Sequence, residues 1–127
     1  MRINDPKVLA EVEAAFARYE TALVGNDVVE LQRLFWKSPE TIRYGVAEIL
    51  YGHDEIGAFR AARPATGLER QLHRTVITTF GRDFATASTL FERDSMPGKI
   101  GRQTQSWVRF AHGWQIVAAH VSLIDAA

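Results

Sequence analysis

Cysteine is absent from the 127 residues. That excludes disulfides, cysteinyl zinc sites and a thiol nucleophile, and it points weakly to a reducing compartment. No apolar run approaches the ~20 residues that a membrane-spanning helix needs. The opening MRINDPKVLAEVEAAF is amphipathic and charged, without the continuous apolar core of a signal peptide. The expectation is a soluble, cytoplasmic protein with no membrane partner. An excess of either charge is missing too: 15 Lys and Arg face 15 Asp and Glu. A neutral chain with no basic block lacks the field that nucleic-acid binding uses, and neutrality removes a brake on self-association.

Motifs for bound groups are equally scarce. The four histidines, His53, His73, His112 and His120, show no H-x-x-x-H spacing, and no Asp-rich calcium loop occurs. There is no G-x-G-x-x-G, no P-loop and no G-x-S-x-G elbow. The expectation is therefore no metal and no cofactor. No internal repeat, low-complexity tract or linker breaks the chain.

What is present is enough for a core. Hydrophobic residues make up 46% of the chain, too many for a disordered tail, and the length suits one domain spanning 1–127. Asn4 or Asp5 can cap a first helix, with Pro6 in its first turn. Val8, Val12, Phe16, Tyr19 and Leu23 then form one apolar stripe, and Gly25-Asn26 ends it. Asp27 begins a second helix, with Glu30 in capping-box position. Leu31, Leu34 and Phe35 are its buried face, and Ser38-Pro39 is its stop. Thr41–Gly45 and Ile49–Tyr51 read as short strands. Asp54 can cap a third helix, with Ile56 and Phe59 inward and Arg60 and Arg63 in a last turn that suits cations. From Leu68 the period becomes two. Four long strands, 68–80, 84–93, 100–110 and 114–124, are separated by turns at 81–83, 95–99 and 111–113.

Helices first and a meander afterwards predict an α+β protein with the helices on the concave side of a strongly curved sheet. Such a cone has an open mouth and a partly apolar interior, which is a ready pocket. Its convex face is free for a second copy of the chain.

Tyr19 lies in the first helix's stripe, so its ring points inward and its hydroxyl needs a partner. It is either a core tyrosine or a phenol that donates to a ligand. Arg43 alternates with Ile42 and Tyr44. It points either to solvent or into the pocket, where a guanidinium clamps a carboxylate. Gln105 and Trp107 share one face of a long strand. They are core, or a pocket wall with one amide for orientation. His120 and Ser122 share a face of the last strand with Ile116 and Ala118, and periodicity does not say which face looks inward. A Ser–His nucleophile pair is poorly supported without an elbow or a third member.

The closing Gly113–Ser122, GWQIVAAHVS, resembles the nuclear-transport-factor-2-like (NTF2-like, SnoaL-like) superfamily. RYETALVGNDV (18–28), LFWKSPETIRYG (34–45), LYGHDEIGAFRAARP (50–64) and RQTQSWVRF (102–110) resemble the AtzH/HpxZ-like family, small bacterial proteins associated with amidase-dependent catabolism of ureido compounds. The resemblance implies an NTF2-like cone and a cofactor-independent amidohydrolase or decarboxylase. In the cyanuric-acid branch it implies conversion of 1,3-dicarboxyurea to allophanate. The family's proposed catalytic tyrosine and arginine fall on Tyr19 and Arg43. Gln105, Trp107 and His120, singled out by their strand faces alone, are candidate substrate contacts. The alternative is a non-catalytic ligand-binding or accessory protein to a partner amidase, as in the oxalurate branch. A homodimer through the convex sheet face fits either reading.

Overall fold

The computed structural model describes residues 1–127. Helix α1 spans Pro6–Val24, with the Asp5 carboxylate accepting from the Lys7 amide at 3.0 Å. An N-cap of this kind satisfies one of the amides that a helix start leaves unpaired. The stripe expected from the spacing is buried, Val12 and Ala15 completely. Helix α2 spans Val28–Leu34, and the Asp27 carboxylate accepts from the Glu30 amide. It stops before the Ser38-Pro39 signal because a better use exists for the backbone. Phe35 is extended and bridges Ile116 in parallel, and the Trp36 amide donates to the Ile116 carbonyl at 2.9 Å. Helix α3 spans His53–Ala62 and is capped by Gly52, not Asp54. Gly52 has φ +89°, a conformation that disfavours side chains, and Glu55 reaches back to accept from the Tyr51 amide at 2.8 Å.

Six strands complete the fold: β1 Ile42–Tyr44, β2 Ile49–Tyr51, β3 Gln71–Phe80, β4 Phe84–Glu92, β5 Lys99–Phe110 and β6 Gly113–Asp125. They form one curved sheet in the order β2-β1-β6-β5-β4-β3, antiparallel except where β1 runs parallel to β6. Three helices cover one face, which makes this an α+β fold of the NTF2-like, or cystatin-like, kind. α1 packs towards β3 and α2 towards β6. The dry part of the layer between them holds Val12, Phe16, Leu31, Phe35, Ala85, Ala87, Trp107 and Ile116.

A register shift in the β5–β6 pairing decides which side chains of β6 look towards the helices. Ser106 pairs with Ala118 but Trp107 pairs with Ile116, which leaves Val117 as an extra residue. A bulge of this kind breaks the two-residue period. Ile116, Ala119 and Val121 therefore face the helices, while Ala118, His120 and Ser122 face away. The grouping of Ile116 with His120 expected from strict alternation is corrected by this one insertion.

Candidate functional site

Two residues far apart in sequence meet first. Tyr19 is carried inward by the α1 stripe and is 2% exposed. Arg43 is the middle residue of β1, paired with Leu50 of β2 and Ala119 of β6, and is 6% exposed. Alternation along β1 leaves its direction open, since a strand bare on that side would send it to solvent. α3 covers that side, and the Arg43 guanidinium lies 5.4 Å from the centroid of the Phe59 ring. Its Nη1 donates to Glu48 Oε1 at 2.8 Å, while its Nε has no partner. Gly45 makes that ion pair possible, since a Cβ there would fall on the Glu48 carboxylate.

Four further arginines surround the phenol. Arg70 is held by Glu20 through two bonds, Nε to Oε2 at 2.8 Å and Nη2 to Oε1 at 2.6 Å, and also donates to Gln103 Oε1 at 3.1 Å. Its guanidinium lies 4.5 Å from the Phe91 ring centroid, and that of Arg93 lies 5.1 Å from the same ring. Arg63 shares Phe59 with Arg43, at 5.9 Å. Arg60 is fully buried 5.6 Å from the Phe35 ring, and none of its three guanidinium nitrogens has a well-formed hydrogen bond. The Tyr19 oxygen is the group that eases its charge. Arg63 Nε and Nη2, Arg93 Nε and Gln103 Nε2 are likewise buried and unpartnered. Buried polar groups are normally paired, so a cluster of orphaned donors on one wall marks a place built for an acceptor.

Most of these groups, though not Arg60, line a cavity of about 180 Å³. Tyr19, Arg43, Arg63, Arg70, Arg93 and Gln103 all line it, with Phe59 and Phe91 as its apolar floor. Five guanidinium groups near one phenol, against the carboxylates of Glu20 and Glu48, leave an excess of positive charge. The charge acts on the titrations. Burial pushes the Tyr19 phenol up, and Arg60, Arg43 and Arg70 together outweigh it, so the net shift is below the ordinary tyrosine value. Burial, with Arg60 and Arg43 adding repulsion, lowers Arg63 to about 10. Arg60 and Arg93 are lowered too, burial leading in both. Chemically, the cavity can bind a small anion, polarise a carbonyl and hold an acidified phenol against it.

The whole chain, residues 1–127, matches the family described as AtzH-like. The chain belongs to the AtzH-like family. It is 58% identical to a DUF3225-family protein of unknown function from Pectobacterium atrosepticum, over 97% of this chain and 95% of that one, with a TM-score of 0.94. It is 52% identical to a cystatin-like fold protein from Burkholderia xenovorans, over 100% and 99%, with a TM-score of 0.96. An NTF2-like protein of unknown function from Pseudomonas putida shares the fold at 16% identity, over 93% and 87%, with a TM-score of 0.76. No curated protein matches the sequence.

In this AtzH-like protein the other candidate residues fall elsewhere. Gln105 and Trp107 do share the inner face, but Trp107 Nε1 donates to Gln105 Oε1 at 3.1 Å and both are fully buried beyond the cavity wall. The amide that reaches the cavity is Gln103, two residues earlier on the same face of β5. His120 is exposed on the outer face, edge-on to Tyr44 with 5.8 Å between ring centroids. It is not a cavity residue, because the Val117 bulge turns it away. Ser122 is on that face too and accepts from Arg102 Nε.

The residues that sequence reasoning missed are cations. Arg60 and Arg63 are spaced like any last-turn pair that complements a helix dipole, and Arg93 like a strand end. One signal was available. The segment from Phe59 to Arg70 carries three arginines, and the carboxylate that pairs with Arg70, Glu20, lies outside it.

Proposed function

We propose that this AtzH-like protein is a cofactor-independent amidohydrolase or decarboxylase acting on a carboxylated urea, with conversion of 1,3-dicarboxyurea to allophanate as the reaction. The observation that carries the reading is the convergence of the Tyr19 phenol and the Arg43 guanidinium on one cation-rich cavity. In this scheme Arg43 holds a carboxylate of the substrate, and the unpartnered Gln103 Nε2 donates to the ureido carbonyl. The bond between nitrogen and the terminal carboxylate carbon breaks. Its electron pair stays on nitrogen, carbon dioxide leaves, and nitrogen takes the proton of Tyr19, which solvent then replaces. The surrounding cations acidify the phenol and stabilise its anion, so the donor is matched to the transfer. Carbamates of this kind are labile already, so orientation and one well-placed charge supply much of the effect.

Freshly generated 1,3-dicarboxyurea is the test, followed by carbon dioxide release and allophanate formation. The parent should accelerate both, and Tyr19→Phe and Arg43→Met should each reduce kcat by ~10²–10³-fold, the scale of losing one positioned donor. Folded variants that match the parent would sink the assignment. A binding-only role, as accessory to an amidase, is the second reading. It is favoured by the absence of any carboxylate or histidine base on the cavity wall other than the paired Glu48. Tight binding of ureido acids without turnover would establish it.

A homodimer through the outer sheet face is part of the same proposal. That face exposes Ile49, Tyr51, Val76 and Phe84, the kind of apolar surface that a second copy covers. Sedimentation should give twice the chain mass, and Tyr51→Glu with Ile49→Glu should reduce it to one.

A further inference from the structure

The cavity's cations are organised into two clusters, each built on one phenylalanine. Phe59 carries Arg43 and Arg63, and Phe91 carries Arg70 and Arg93. In each cluster one guanidinium is neutralised inside the protein, Arg43 by Glu48 and Arg70 by Glu20. In each the other, Arg63 or Arg93, has buried nitrogens with no partner. The clusters arise on the same face of the sheet but from strands that are not neighbours. β1, which bears Arg43, is separated from β4, which bears Phe91, by β6 and β5, three strand spacings or ~14 Å between backbones. Long side chains reach from both clusters into one cavity.

We propose that the cavity is a two-pole site for linear dicarboxylates, in which Arg43 and Arg63 hold one carboxylate at the Phe59 pole and Arg93 holds the second at the Phe91 pole, so that Arg93 decides between dianionic and monoanionic ligands. The inference rests on the cavity being the substrate site and adds to it a specificity-determining residue, Arg93. Three physical points support it. A guanidinium stacked on a ring is pre-oriented and loses little freedom when it takes an anion. Arg63 and Arg93 are half-buried cations with no internal counter-charge and with buried, unpartnered nitrogens, and a ligand carboxylate at each pole supplies the missing acceptor. The four guanidinium groups of the cavity against two carboxylates leave two positive charges in excess, which a dianion neutralises in full and a monoanion only by half. Gln103, which accepts from Arg70 through Oε1 and keeps Nε2 free, is the polar group available between the poles.

Calorimetry with glutarate and pentanoate tests this. They are stable chains of equal length that differ by one carboxylate, and neither can be turned over by breaking a C–N bond. The parent should bind glutarate about tenfold or more tighter than pentanoate, the worth of one charge-assisted contact. Arg93→Met should abolish that preference, weakening glutarate by about tenfold and pentanoate by no more than a few-fold, since Arg93 acts on the other pole only through space. Arg63→Met should weaken both ligands. Should Arg93→Met fail to fold, Arg93→Gln keeps the stem against Phe91 and removes the charge, giving the same comparison. The proposal is overturned if Arg93 variants keep the preference, if they lose both ligands equally, or if sulfate binds the parent as tightly as glutarate. The catalytic reading can fail separately. Preference for glutarate without turnover of 1,3-dicarboxyurea leaves the two-pole site standing. Turnover with an unchanged KM in Arg93→Met removes the two-pole site and leaves the catalysis.

Discussion

The layer between helices and sheet has two ends made from the same elements to opposite rules. At one end Val12, Phe16, Ala85, Ala87, Trp107 and Ile116 form one buried apolar cluster, and Trp107 donates to Gln105. At the other, the same α1 and β5 present Tyr19 and Gln103 to a cavity ringed by guanidinium groups with orphaned nitrogens. The residues of the first end break the rule that buried polar groups are paired once only, at Gln105 Nε2. The second breaks it repeatedly. A fold keeps such violations where a ligand, not the chain, completes the pairing.

The sharpest way to break this comparison is to substitute one residue from each end. Trp107→Ala should destabilise the protein by ~3–5 kcal/mol, because a fully buried indole leaves a cavity that neighbours fill only partly. Arg60→Met, at the other end, should have the opposite sign. Removing an unpartnered buried cation in favour of an apolar chain of similar length stabilises by ~1–4 kcal/mol. Urea denaturation measures both. A loss of stability in Arg60→Met would mean that the charge is satisfied within the chain, and the contrast between the ends would disappear.

Much of the scaffold that separates the two ends is readable from residue order. The α1 stripe, the Asp5 and Asp27 caps and the four long strands follow from period and turn chemistry, and the structure has them within a few residues. What is not readable is what faces what. Val117 sits in a run, IVAAHV, whose composition carries no bulge signature, yet the inserted residue decides that His120 looks outward. Phe35 has the propensity to continue α2, but pairing with Ile116 takes its backbone instead. Tyr19 is legible as inward-pointing from its stripe alone. Arg60 and Arg63 are not legible as site residues, because a last-turn cation on a solvated helix and one pressed against the sheet have the same spacing. Burial of α3 against the interior is a tertiary event, and it buries Arg60 completely and makes Arg63 part of the cavity wall.

A smaller effect sharpens the comparison from the sheet side. Gly101 of β5 pairs directly with Phe91 of β4, and a Cβ at Gly101 would land in the Phe91 ring. The absence of a side chain is what lets that ring lie flat enough to support Arg70 and Arg93. Gly101→Ala should cost about 1–3 kcal/mol by overpacking. It should also weaken glutarate binding more than pentanoate binding, because the displaced ring carries Arg93. A variant that loses stability but binds both ligands as the parent does would show that Phe91 is packing only.

The subtlest consequence is electrostatic and can be read without any ligand. Two tyrosines lie in opposite environments. Tyr19 is held below its ordinary value, burial opposing and Arg60, Arg43 and Arg70 prevailing. Tyr44, on the outer face, is held above it, chiefly by the hydrogen bond with Tyr51 at 2.8 Å. An absorbance titration of the phenolate band should therefore show one early proton loss that vanishes in Tyr19→Phe and one late loss that vanishes in Tyr44→Phe. The sign for stability comes from linkage. Above the folded value of Tyr19 the native state has lost a proton that the unfolded chain keeps until about 10. The parent should thus gain stability relative to Tyr19→Phe as pH rises through that window, keep the gain above it, and lose it as pH falls. If the early proton loss survives in Tyr19→Phe, or the stability difference runs the other way, the guanidinium groups do not govern the phenol. The charged end of the layer would then be a set of arginines without a common target.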